Sequence, residues 1–413
     1  MNNNIDYSRK KDICIFLHIA LSLVFCYEYT AAISLDYIAI LPLALLGAFF
    51  TFFSSKRKTV PLELFVTSLF LFMMLGHRIL IGAQKGFVIS FLCIVFLFFY
   101  TGRGNVYNFF KLEIIISTIL AISCIFEFFF FDIFSKAFFK LFSSSVAESL
   151  TRTYINTKNV AGLTPSTAFT AGVLVCGLFS VLVTLNKRSK TKNFFLLAIV
   201  IISLILTGKR AHVIFPSMVL LLYYIITSKG TRRIKRICSA LVIAIVLVSA
   251  FMFLAPFFSN LNSISRTYDL LMNVFGGGNV EDSLSGRAIL YKNAVDLWRE
   301  HLVFGSGWGT YQELTGMKMA VHNIYLQLLC ETGILGLAVF IISATNSLVC
   351  TRRRLAKASI NNADSEIIAL LKFSLFYQLF FLLYGISGNC LFDNSYFLIY
   401  VLAITLPYSR RIL

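Results

Sequence analysis

Charge is scarce in this chain. Asp, Glu, Lys and Arg make up 14% of its 413 residues, against 58% hydrophobic and 15% aromatic side chains, and the mean hydropathy is +0.81. So little charge excludes an ordinary soluble globular protein. Short chemical motifs are also missing. There is no Cys-x-x-Cys, no His-x-x-x-His, no acidic repeat, no glycine loop followed by Lys-Ser/Thr and no Gly-x-Ser-x-Gly. The sequence therefore gives no basis for a zinc or paired-metal site, a P-loop or a nucleophile elbow. The apolar runs lack period-2 alternation, which disfavours a membrane barrel.

What is present is length of apolar run. About 20 consecutive apolar residues cross the ~30 Å hydrocarbon core as a helix. The runs predict an all-α polytopic integral membrane protein with about twelve spans, near 13–33, 36–53, 61–76, 87–101, 108–131, 166–185, 193–208, 210–227, 237–258, 322–349, 367–386 and 390–408. The first run follows Lys10-Lys11, is longer than a signal h-region and reads as a retained span. Most of the nine cysteines sit inside apolar runs and read as small buried side chains.

The cations set an orientation. Arg9-Lys10-Lys11, Lys56-Arg57-Lys58, Arg103, the 187–192 and 229–236 clusters, Arg352-Arg353-Arg354 with Lys357, and Arg410-Arg411 hold 22 of the 37 Lys and Arg residues. They fall on alternate loops, which places those loops and both termini in the cytoplasm. The net charge of +18 is then a topology signal; a nucleic-acid partner would need a basic folded domain, and the sequence has none.

This divides the chain into spans one to nine over 1–258, an external loop over 259–321, and spans ten to twelve over 322–413. An interfacial segment lies at 132–165, where Phe134, Phe138, Phe139, Leu141 and Phe142 can lie against lipid. Within the external loop, Ile289, Ala294, Leu297 and Trp298 mark a helix, with Ser283 or Ser285 as its cap, in a small helical subdomain. Gly305, Gly307 and Gly309 then allow tight turns or close backbone approach.

Chemistry should come from the cations and the histidine on the external face. Arg210, in LTGKRA, sits at a hairpin between two spans, against the charge trend. Its planar fork suits phosphate oxygens, whereas its neighbour Lys209 also reads as a headgroup contact. Arg287 follows Ser285-Gly286; alone it is a solvated surface charge. Arg152 is a weaker candidate, and Arg266, Lys292, Arg299 and Lys318 read as surface charges. His322 can take a proton near neutral pH, although a lone helix-start histidine is more often structural. On a continuous helix, Gly333 falls about 20° and Gly336 about −40° from His322, so the three share a stripe against which another helix can pack closely. Glu331 points about 180° away, toward another polar group in the membrane.

The run His322-Asn323, nine residues, Gly333, two residues, Gly336, together with LTGKRA and SGRAILYKNAVDLWREHLVFGSGWGTY, resembles the superfamily of O-antigen ligases and O-antigen polymerases. The likeness covers about residues 200–340, and the first five spans match only as a hydrophobic frame. The resemblance implies a metal-independent inverting glycosyltransferase of the C type, with no cofactor, in the bacterial inner membrane and with its active site facing the periplasm. Its donor would be a glycan on undecaprenyl pyrophosphate. His322 would be the base or acceptor-positioning group, Arg210 and Arg287 would hold the pyrophosphate, and Lys209, Arg152 and Asn323 would contact substrate. A polymerase would extend a second lipid-linked repeat unit, with a chain-length regulator as a partner; this is the favoured reading. A ligase would load lipid A-core instead. A transporter of lipid-linked sugars stands behind both, because the polar residues gather at one membrane face and no two-half symmetry is visible.

Overall fold

The computed structural model describes residues 108–184, 190–227, 231–258, 264–265, 268–269, 271–273 and 287–408. The four spans expected before residue 107 and the cap candidates Ser283 and Ser285 lie outside them. The described residues are helical, with no strand among them. They form α1 (Asn108–Phe129), α2 (Phe131–Phe138), α3 (Ser144–Thr157), α4 (Thr167–Thr184), α5 (Lys190–Leu206), α6 (Arg210–Ile226), α7 (Thr231–Leu254), α8 (Arg287–Glu300), α9 (Tyr311–Thr315), α10 (Ile324–Ile360), α11 (Ser365–Tyr384) and α12 (Asn394–Thr405). Four of these, Phe110–Phe129 within α1, α4, α10 and α11, are long and apolar enough to cross a membrane. Thr191–Leu206, Arg210–Ile226 and Ile399–Tyr408 are apolar but shorter.

The chain divides into two compact units, one comprising Glu113–Ser285 and the other containing Gly286–Leu413. In the first, α4 is buried along Phe169–Val181 and packs against α5 and α6. α1 turns Ile115, Ile119, Ile122, Phe126 and Phe129 outward at three- and four-residue spacing, a face suited to lipid. Beyond α1 the sequence expectation needs correction. Phe134 and Phe139 do not face lipid; they are buried with Leu150 and Ala161 under α3, while Phe130, Ile133 and Leu141 are the exposed residues.

In the second unit, α10 packs against α8 and α11, and α11 against α12. Side-chain hydrogen bonds tie these apolar surfaces together. Gln378 accepts from the Ser347 hydroxyl at 2.9 Å and donates to Thr351 at 2.9 Å and Ser374 at 3.0 Å, and Ser374 donates to the Ala403 carbonyl. Such interhelical bonds hold helices together where lipid provides no hydrophobic drive. α8 buries Leu290, Ala294 and Leu297, an i, i+4, i+7 stripe, and leaves Ile289 exposed, so the buried register begins one residue later than the expected one. α10 runs through Arg352-Arg353-Arg354 to Ile360, past the expected end of its span. Nothing in the helical bonding stops where the apolar run stops.

α10 is not continuous. At Gly333 φ is 68° and ψ −171°, which breaks two helical bonds, those from Ile334 N–H to the Cys330 carbonyl and from Leu335 N–H to the Glu331 carbonyl. The 302–307 loop replaces both. Ser306 N–H and Gly307 N–H donate to the Cys330 and Glu331 carbonyls at 2.9 Å each, while Leu302 and Val303 carbonyls accept from Ile334 and Leu335 at 3.0 and 3.3 Å. The fit needs two glycines. A Cβ at Gly333 would lie 2.1 Å from the Val303 oxygen, and one at Gly305, where φ is 72°, would lie 2.3 Å from the Glu331–Thr332 peptide. The single stripe through His322, Gly333 and Gly336 therefore does not exist: Gly333 serves a loop, not a neighbouring helix. We expect Gly333→Ala or Gly305→Ala to destabilise the protein by at least about 2 kcal/mol, from the left-handed backbone and the blocked contact together. Apparent melting in detergent would report this, and a control Ala at the exposed Gly316, with no atom within 4 Å of its Cβ, should cost less.

Candidate active site

The head of α10 is built from its backbone outward. The N–H groups at the head of a helix lack helical partners, and here those of Ile324, Tyr325 and Leu326 are taken before the first helical bond, from Gln327, is made. Ile324 N–H donates to the Gly385 carbonyl at 2.8 Å, Tyr325 and Leu326 donate to Asn323 Oδ1 at 3.0 and 3.1 Å, and Gln327 donates to the Asn323 carbonyl at 3.0 Å. Asn323 is thus the N-cap. His322, half-buried just before it, has φ 57°, a left-handed conformation uncommon outside glycine. Such a residue persists only where its surroundings fix it. Those surroundings include the Tyr325 hydroxyl donating to the Leu382 carbonyl at 2.7 Å and Ile324 packed under Gly385.

Below the cap, Glu331 is fully buried, and its Oε1 accepts from Tyr311 N–H at 3.2 Å and Gln327 Nε2 at 3.1 Å. This is the polar partnership expected for it. Tyr311 donates its hydroxyl to the Leu290 carbonyl at 2.9 Å, which links α9 to α8; burial raises its phenol above the ordinary value and keeps it a donor. Trp308, also fully buried, stacks on Phe392 at 4.6 Å, joining the glycine run to the segment after α11.

Arg287 is the first residue of α8 and is half-buried. Its guanidinium and the Asp393 carboxylate both lie within electrostatic reach of the Tyr384 phenol, which shares a hydrogen bond with Tyr396. In the same 385–393 segment, Ser387 Oγ and Asn389 Oδ1 are buried without a hydrogen-bond partner among the described residues. Sequence reading missed them, since a Ser and an Asn in a short connection carry no pattern.

The other unit holds the hairpin. Gly208, with φ 73°, turns the chain between α5 and α6, and the Asn159 side chain occupies the place a Cβ would take. Lys209 stands at the N-cap of α6 with no side-chain cap hydrogen bond, Arg210 begins the helix, and both are half-buried. Two cations at the positive end of a helix oppose its dipole. His212, in the first turn and 1% exposed, was not singled out from the sequence, although it sits within the same GKRAH stretch. Arg152 lies on the exposed face of α3 paired with Glu148, one turn away. Lys158 ends α3 in the left-handed conformation, with its ammonium 4.5 Å over the Tyr154 ring. Burial, with the Glu127 and Asp132 carboxylates, raises the Tyr154 phenol above its ordinary value. Arg299 forms an exposed pair with Asp296, the surface role expected of it. Among the described residues, no group of three or more His, Cys, Asp or Glu could hold a metal ion.

Asn323 can be tested for its two roles. Asn323→Ala should cost about 1 kcal/mol through the lost cap, and Asn323→Asp should restore that stability in thermal unfolding. Turnover restored along with it assigns the side chain to capping alone; stability restored without turnover assigns it a substrate contact.

No curated protein matches the chain. Residues 194–341 match the family described as O-antigen ligase, a stretch that runs from α5 into α10 and includes Lys209, Arg210, Arg287, His322 and Asn323, with Arg152 outside it. Over residues 194–341 the chain thus matches the O-antigen ligase family, and this match supports its assignment to the O-antigen ligase and polymerase superfamily.

Proposed function

We propose that the protein is an inverting glycosyltransferase that polymerises undecaprenyl-pyrophosphate-linked oligosaccharide repeat units at the periplasmic face of the bacterial inner membrane. The observation that carries this is the family match, which encloses the hairpin arginine, Arg287 and His322 in order. In this reading the hydroxyl of an acceptor sugar attacks the donor's anomeric carbon. The new C–O bond forms as the bond to the lipid pyrophosphate breaks, and His322 takes the hydroxyl proton. Arg210 and Arg287 hold the pyrophosphate and meet the charge that grows on it, with Lys209 beside them. The bonding at α10 supports this division of labour: the N–H groups behind His322 are already used, so charge stabilisation falls to side-chain cations. Arg152, exposed and paired with Glu148, is the weakest of the proposed substrate contacts.

The same reading takes about twelve spans in a C-type glycosyltransferase frame, with 1–258 and 322–413 as membrane parts, 132–165 as an interfacial segment and 259–321 as a periplasmic loop. Both termini are then cytoplasmic. No metal or cofactor takes part, and a chain-length regulator is a partner. One specific finding favours a second reading: the family's own description is that of a ligase, which would transfer the glycan to lipid A-core.

Purified protein supplied with lipid-linked oligosaccharide, with and without lipid A-core, separates the readings on a gel. Lengthened lipid-linked chains are expected; core-attached glycan would mean ligase, and translocation with no new glycosidic bond would remove both. His322→Ala should slow transfer by about 10²- to 10⁴-fold. Arg210→Lys and Arg287→Lys should each cost about 10²-fold or more, because a point charge cannot replace the bidentate fork.

A further inference from the structure

The segment between α3 and α4 carries backbone amides into a buried place, and each needs an acceptor. Two side chains one turn apart on α1 supply them. Glu127, 1% exposed, accepts through one oxygen, Oε2, from Ala161 N–H at 2.9 Å and Gly162 N–H at 2.6 Å. Ser123 Oγ accepts from Leu163 N–H at 3.2 Å while donating to the Leu120 carbonyl at 2.8 Å. The segment is pressed onto α1. Gly162 has φ 64°, and a Cβ there would lie 2.4 Å from Ser123 Oγ and 3.3 Å from the Cys124 nitrogen.

The same few residues carry the α5–α6 hairpin. Val160 N–H donates to the Leu206 carbonyl at 3.1 Å, and Asn159 fills the space beneath Gly208, 2.2 to 2.3 Å from where a Cβ would sit. α5 is tied to α1 besides, through Ser203 Oγ donating to the Ala121 carbonyl at 2.8 Å. A connected path of main-chain contacts therefore leads from the Glu127 carboxyl through 159–162 to Gly208, two residues before Arg210. An acid buried in an apolar helix is costly, and such residues are kept where they do something specific. This one gathers two amides of a loop.

We infer that Glu127 is a positioning residue: by holding the 159–163 segment against α1 it fixes the hairpin that presents Arg210 to the leaving pyrophosphate. The inference rests on the glycan-transfer reading of Arg210. A displacement of even about 1 Å at such a group can cost about 10²-fold in rate.

The test is a double-mutant cycle on initial transfer rates, in membranes charged with the cell's own undecaprenyl-pyrophosphate-linked repeat units and normalised to protein that elutes as a single folded species. Glu127→Ala and Arg210→Lys should each slow transfer by about 10²-fold. Together they should fall no more than about twofold below Arg210→Lys, because both remove one interaction. Glu127→Gln, whose amide oxygen can still accept from Ala161 and Gly162, should stay within about tenfold of the parent. Multiplied losses in the double variant, an undiminished Glu127→Ala, or a Glu127→Gln as slow as Glu127→Ala would each overturn the inference and leave the Arg210 reading standing. A normal rate for Arg210→Lys would instead bring down that reading, and this one with it. Should Glu127→Ala yield no folded protein, Ser123→Ala, which removes a single acceptor, carries the same cycle with a smaller loss.

Discussion

A buried backbone amide must find its partner inside the protein, and this fold is arranged around two places where the helix does not provide one. At Gly333 the α10 ladder opens by two bonds, and the 302–307 loop supplies two donors and two acceptors in their place. The substitution is one for one, so the break leaves no orphan among those four groups. At 161–163 the irregular segment between α3 and α4 turns its amides to Glu127 and Ser123 instead. In both cases a non-helical stretch is fixed by bonds it would lose on moving. That makes each a rigid mount, in contrast to the mobile surface loops on which binding residues often sit.

What stands on these mounts differs in electrostatic character. The head of α10 has spent its N–H groups on Asn323 and Gly385, so the positive end of that helix has little left to offer an anion. A histidine held there in a left-handed conformation suits the proposed proton-handling role better than charge binding. The head of α6 differs: its N-cap, Lys209, makes no side-chain cap hydrogen bond, and Lys209 and Arg210 add positive charge to the positive end of the dipole. The positive charge gathered at this turn is the feature on which the proposed phosphate-binding role rests.

Much of this was legible in the residues, but only where a pattern was local. The left-handed glycines at 305, 307 and 309, the partnered Glu331, the hairpin at Gly208 and the helix at α8 all follow from composition within a few positions. The stripe linking His322 to Gly333 failed because helical periodicity assumes an unbroken helix, and the reason for the break lies some thirty residues earlier, in the loop that inserts there. Phe134 and Phe139 were read as lipid-facing because an aromatic run is as apolar toward lipid as toward α3. Glu127 carried no signal at all. A lone acid in an apolar run has no spacing to read, and its partners, Ala161 and Gly162, are amides that any residue possesses.

The absence of a side-chain pattern at Glu127 and Gly333 also says what kind of constraint governs the proposed site. Neither residue offers the reaction a functional group; each fixes a piece of main chain on which such a group stands. A transfer that must meet charge developing on a pyrophosphate gains most from donors that need not move as the charge appears. Long arginine and lysine side chains are poor at that unless their backbone is immobile, since their own rotamer freedom is large. Fixing the main chain beneath Arg210 through a buried carboxyl, and the main chain beneath His322 through a helix break filled by a loop, reduces the freedom left to these groups before any substrate arrives.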